Sequence, residues 1–173
     1  MRPSFHSKAL PFTLSKEGGF SNNPKDPGGA TFKGVCLRDF PELKEKILAQ
    51  TLTDAEAAQA VYLPKFWIPA GCDALPYPLD CVVFDMAVNM GNVRSREAAA
   101  DAHRGTDHLE HLFAALGAFC GTNHFLDAWP FLAAQAHVME RIGEYNIMGG
   151  KPDYRSFREG WRNRAFDALK TFL

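Results

Sequence analysis

The chain has 173 residues, of which 46% are hydrophobic and 23% charged, with a formal net charge of −1. That apolar share can fill the core of one compact domain or two small ones, and it excludes a chain that is disordered throughout. The near-zero charge argues against a nonspecific nucleic-acid binder, which needs a strongly basic face.

No run is long and apolar enough for a membrane span or a signal peptide, so the expectation is a chain made in the cytoplasm with no integral membrane segment. The four cysteines, Cys36, Cys72, Cys81 and Cys120, form no C-x-x-C pair, which argues against a zinc ribbon or a dithiol motif. Buried thiols and two disulfides both remain open. Positive charge gathers near the end, at Lys151, Arg155, Arg158, Arg162, Arg164 and Lys170. It reads equally as a solvated helix face or as a surface that approaches an anionic wall.

In chain order, Phe5, Ala9 and Phe12 have helical spacing, and Pro11 predicts a kink or a late helix start. Gly18-Gly19 stops that helix. The following Asn22-Asn23-Pro24-Lys25-Asp26-Pro27-Gly28-Gly29 is too rich in Pro and Gly for a helix. A small irregular β-ribbon carrying Phe20, Thr31, Phe32 and Val35 fits this stretch. Pro41 to Gln50 reads as a short amphipathic piece. Thr53-Asp54-Ala55-Glu56 is a capping box, and the helix it opens is predicted to end near Pro64. Leu79 to Met90 is strongly apolar and predicts a central buried helix, with Gly91 as its C-cap. Further helices are predicted at Ser95–His103, His108–Phe119, Phe125–Gly143 and Tyr154–Phe172. The whole reads as a mostly α helical bundle with one small β-ribbon. A division is placed between residues 1–92 and 93–173, the second part packed on the first.

Glu17 stands at the end of the first helix, directly before the double glycine. Glycines there let a bulky substrate approach the carboxyl closely. Turns between Gly18 and Gly29 can fold the ribbon back, setting Asp26 and Thr31 on the far wall of a groove lined by Glu17. Glycoside hydrolysis needs this layout: a protonated acid beside the glycosidic oxygen, and a second group on the opposite face for water or the developing cation. Apolar packing favours the protonated form of a carboxyl, and Phe12, Phe20 and Trp67 are the candidates to supply it.

The run from Glu17-Gly18-Gly19-Phe20 through Asp26-Pro27-Gly28-Gly29-Ala30-Thr31 resembles the signature of glycoside hydrolase family 108, the Glu-Gly-Gly-Tyr lysozymes. Phe20 stands where that motif has Tyr. The resemblance continues at Phe32-Lys33-Gly34-Val35, Tyr62-Leu63-Pro64-Lys65-Phe66-Trp67, Phe84 to Gly91, and Phe157 to Arg164. The stretch from Val93 to Phe125 departs from the family's peptidoglycan-binding pattern. The resemblance implies a lysozyme-like α+β fold and a phage or prophage endolysin. Such an enzyme cuts the β-1,4 bond between N-acetylmuramic acid and N-acetylglucosamine in peptidoglycan glycan strands. It assigns Glu17 as the catalytic acid, and Asp26 and Thr31 resemble the helpers in the Glu…Asp…Thr set of phage lysozymes. It also implies a monomer without cofactor or metal, released to the cell wall or periplasm by a holin or another export route. A lytic transglycosylase using the same Glu17 and a non-catalytic wall-binding module are the alternatives.

Beyond that set, Phe20, Asn22, Trp67, Asn89 and Trp161 are candidate substrate-binding residues, through ring stacking on sugars or hydrogen bonds to acetamido groups. For Trp161, an anchor role through Phe157 and Ala165 is favoured for the ring, and its edge is left open to substrate. His103, Asp107, His108, Glu110 and His111 are dense in possible metal ligands but lack a spaced third ligand, and read as a polar loop and helix start. Cys120 and His124 read as a structural thiol beside a turn.

Overall fold

The computed structural model describes residues 2–23, 28–102, 129–151 and 157–172. Within them the architecture is mostly α with a two-stranded antiparallel ribbon, as the sequence predicts. The first helical stretch opens as a π-helix over Phe5–Ala9 and continues as α1, Leu10–Lys16. Pro11 lies inside this continuous helical stretch, just after the π turn, whose wider geometry accommodates its ring and its missing N–H. The ribbon consists of β1, Thr31–Phe32, and β2, Val35–Cys36, with Thr31 opposite Cys36 and Phe32 opposite Val35. An isolated bridge adds Ser21 to the other edge of Thr31.

A 3₁₀ turn over Pro41–Leu43 leads into α2, Lys44–Leu48. The short α3, Asp54–Ala57, opens on the predicted capping box, with Thr53 and Glu56 each satisfying the other's backbone N–H. The helix does not end at Pro64. It runs on as a π-helical segment, Ala58–Trp67, with Pro64 inside it. The wider π turn accommodates the proline ring and its absent N–H, and the apolar face of Val61, Tyr62 and Trp67 is buried on the core.

After a 3₁₀ turn at Cys72–Ala74 comes α4, Leu79–Met90, in which every residue from Leu79 to Ala87 is buried. Gly91 closes it at φ +91°, donating its N–H to the Ala87 carbonyl 2.9 Å away. The helical stretch at 92–102 is α5. The next described helices are α6, Trp129–Gly149, and α7, Arg158–Phe172. The α6 helix passes through Gly143, where a stop was expected, because Tyr145 beyond it is fully buried and bonded on both sides. Tertiary packing there outweighs the roughly 1 kcal/mol penalty of a helical glycine.

Among the described residues the core is one continuous cluster. Phe5, Tyr62, Trp67 and Phe84 share one cluster with Ala133, Val138, Tyr145, Ala165 and Phe172. Phe5, Trp67 and Phe84 meet edge to face, with centroids 4.9 to 5.5 Å apart. Each such ring contributes about 2–3 kcal/mol through burial. Helix α4 lies at the centre, against the N-terminal π turn, the Ala58–Trp67 segment, α6 and α7. Cys36, Cys72 and Cys81 are free thiols, the last two buried. Cys120, the histidine-rich run at 103–111 and His124 lie outside the described residues.

Candidate active site

Glu17 is the residue at which α1 ends: its backbone turns extended, at φ −72° and ψ 143°. The carboxylate accepts a hydrogen bond from Arg164 Nη1 of α7 at 3.0 Å, on Oε1. Its side chain is 24% exposed, so it sits at a boundary between core and solvent. Glu17 Oε2 makes no hydrogen bond among the described residues.

Arg164 is itself held from behind. Its Nε and Nη2 donate to Asp85 of α4, the shortest contact being 2.8 Å. Asp85 is fully buried and also accepts from Arg141 Nη1 of α6 at 2.8 Å and from Thr13 Oγ1 of α1 at 3.0 Å. Burial alone would push the Asp85 carboxyl up, but Arg141 and Arg164 outweigh it and hold it below the usual carboxylate range. Arg141 and Arg164 thus face Asp85 and Glu17 in a cluster that spans α1, α4, α6 and α7. Arg141 Nε also donates to Tyr145 Oη, which in turn donates to Asn89 Oδ1, both at 2.5 Å.

On the other side, the ribbon closes on Glu17. Its turn, Lys33-Gly34, is pinned by Tyr62 Oη donating to the Lys33 carbonyl at 3.0 Å and by Lys33 Nζ on Asp54 at 2.6 Å. Gly34 has φ +72°, and a Cβ there would collide with the Tyr62 hydroxyl and sit close to the Glu17 side chain. Burial, and then the charge of Glu17, raise the Tyr62 hydroxyl well above its ordinary range. Gly18 and Gly19 are different. Neither has a positive φ, and a Cβ on either would meet open space. The fold does not require glycine at these two positions, and the room they leave lies directly beside Glu17.

The other sequence candidates divide. Thr31 is half-buried in the ribbon, its backbone bonded both ways to Ser21, four residues past Glu17. Phe20 is 37% exposed and Asn22 is exposed on the same segment. Asp26 lies outside the described residues. Asn89 is half-buried, its Oδ1 engaged by Tyr145, and it lines a cleft of about 310 Å³ with Lys16, Trp161, Asn163 and Arg164. Trp161 stacks on Tyr145 at 5.6 Å and on Phe157 at 5.8 Å, so its ring is an anchor whose edge reaches that cleft.

Trp67 is a correction. It is 0% exposed, packed between Phe5 and Phe84, with Nε1 on Asp73 Oδ1 at 3.0 Å, and offers no face to a sugar. The apolar setting expected for Glu17 is corrected too. Phe12 packs on Phe172, and the partner of Glu17 is a guanidinium. Sequence reasoning missed Asp85, Arg141 and Arg164 as site residues. The signal was present in Asp85, one of two carboxylates inside the apolar helix α4, since a carboxylate buried there demands a charged or hydrogen-bonding partner. Among the described residues no cluster of three metal-ligating side chains occurs, and no helix is long and apolar enough to cross a membrane.

Residues 10–91 match the family model for Glycosyl hydrolase 108. The matched stretch contains Glu17, Thr31, Tyr62 and Asp85 and ends at the C-cap of α4. Arg141, Trp161 and Arg164 lie beyond it. SagA of Brucella abortus, a solved structure, is similar with a TM-score of 0.60 at 22% identity, covering 98% of this chain and 94% of that one. At that identity the likeness speaks for a shared fold over nearly the whole length. No curated protein matches the chain.

Proposed function

We propose that this chain is a glycoside hydrolase that cuts peptidoglycan, and specifically a muramidase with Glu17 as its general acid. One observation carries the reading. Within the stretch that matches glycosyl hydrolase 108, the Glu17 carboxyl stands at the end of α1, one oxygen held by Arg164, and the two glycines after it leave open space where side chains would stand.

In this mechanism Glu17 Oε2 gives its proton to O4 of N-acetylglucosamine. The bond from O4 to C1 of N-acetylmuramic acid breaks, its electron pair leaving with O4. Water adds its hydroxyl to C1 and its proton leaves to solvent. Asp26 and Thr31 act on the opposite face, orienting that water or the developing cation. Phe20 and Asn22 line the approach on the ribbon side. Asn89 and the edge of Trp161 contact the glycan on the other. The enzyme works on the wall after release from the cytoplasm, in the manner of an endolysin.

The test is mass spectrometry of purified peptidoglycan digested by the wild type and by Glu17→Gln. Fragments ending in reducing N-acetylmuramic acid, absent with the variant, are the expected result. Anhydro-muramic ends would make the enzyme a transglycosylase. No fragments from either protein would leave only a wall-binding module.

A further inference from the structure

We infer that Arg164, locked by Asp85, is a positioning residue for the acid Glu17, so that α7 completes a site whose acid lies in the first half of the chain. The inference rests on the reading of Glu17 as the acid. Its basis is the asymmetry of restraint around that residue. Glu17 follows the last residue of α1, and the two glycines after it touch nothing through a side chain. The hydrogen bond that fixes its carboxyl is the one from Arg164 Nη1 to Oε1.

Arg164 can serve as a fixed point because its Nε–Nη2 edge is committed elsewhere. Nε and Nη2 grip Asp85, whose carboxylate is immobilised in turn by Arg141 and Thr13. A planar guanidinium held on one edge by a buried carboxylate presents its other edge in one direction. Lysine at this position carries a single point charge and cannot hold both acids in that geometry.

The arrangement also works in both protonation states. A neutral Glu17 still accepts on Oε1 while Oε2 carries the proton toward the glycosidic oxygen. Once the proton has moved, the same guanidinium faces the carboxylate left behind, so nothing needs to reorient during the step. Without Arg164 the acid loses its aim.

The experiment uses the full-length wild type, Arg164→Ala, Arg164→Lys and Glu17→Gln on soluble peptidoglycan glycan strands, measuring kcat, KM and thermal unfolding. Arg164→Ala is expected to lose about 100-fold in kcat, the scale of a misplaced catalytic group, with KM within about twofold. Ethylguanidinium added to Arg164→Ala is expected to restore about tenfold of that loss and to do nothing for Glu17→Gln. Arg164→Lys, which keeps a cation against Asp85, is expected to fold and to lose about tenfold in kcat at unchanged KM.

A folded Arg164→Ala with wild-type kcat, a loss that guanidinium does not relieve, or a fully active Arg164→Lys would overturn the inference. If Arg164→Ala does not fold, Arg164→Lys decides alone. Glu17→Gln as active as wild type would remove the reading of the acid itself, an outcome separate from any result at Arg164.

Discussion

The two sides of Glu17 are built in opposite ways. Behind it, Asp85, Arg141 and Arg164 form a charge cluster in which Asp85 and Arg141 have no exposed surface and Asp85 has three donating side chains. In front, Gly18, Gly19, Phe20 and Asn22 are surface-exposed. On the proposed function, the difference separates two requirements of a hydrolase. Rigidity comes from the side where several elements agree on one geometry. Access comes from the side with few contacts, where the proposed glycan strand would displace no packed side chains.

The sharpest way to break that contrast is to open the buried side. Asp85→Ala leaves Arg141 buried without its counter-charge and Arg164 without its anchor. A loss of about 3–5 kcal/mol in chemical denaturation is expected. A loss under about 1 kcal/mol would show that the cluster is not what fixes α4, α6 and α7 together.

A pH series tests the same region with a smaller effect. His137 on α6 is fully buried. Burial, then the nearby charge of Arg141, push its pKa from 6.5 down to about 4. The unfolded chain therefore binds a proton between those values that the folded chain refuses. Stability falls as the pH drops from 6.5 to about 4, by about 3 kcal/mol for this group, and is level above 6.5. The contribution of Asp85 has the other window. Its folded pKa lies below 3.8, so it is complete above that value and is lost only in stronger acid. Denaturant titrations at pH 7 and pH 4.5 check this. His137→Leu should flatten the difference, and an unchanged slope would exonerate the histidine.

The glycines sharpen the comparison at its smallest scale. Gly34→Ala combines a positive φ with an overlap on the Tyr62 hydroxyl, and is expected to destabilise by about 2 kcal/mol in thermal or chemical unfolding. Gly18→Ala, with open space for its methyl, is expected to shift stability by less than about 0.5 kcal/mol. Its effect should fall on KM for glycan strands, about threefold to tenfold upward. Equal stability losses at both positions would mean that the open side is as constrained as the closed one.

Much of the fold was legible because its signals are short-range. The capping box at Thr53, the stop at Gly18-Gly19, the turn-rich ribbon and the apolar run of Leu79–Met90 closed by Gly91 each act over a few residues, where propensity and periodicity carry the information. Glu17 was legible for the same reason, as a carboxyl beside a double glycine in a motif. Two boundaries were misread, at Pro64 and Gly143, where buried Trp67 and Tyr145 hold the helix together against the local preference. Trp67 was misassigned because an aromatic ring suits a sugar and a core equally well, and only packing chooses.

What the sequence by itself determined is therefore the Glu17 motif, the ribbon and the order of the described helices. What only the tertiary structure decided is the company Glu17 keeps. The bond from Arg164 to Glu17 joins residues 147 apart, and that from Arg141 to Asp85 residues 56 apart. A cation in an amphipathic helix looks the same in sequence whether it faces water or a buried carboxylate. The choice is made when α4, α6 and α7 pack, and the desolvated Asp85 must find its charge.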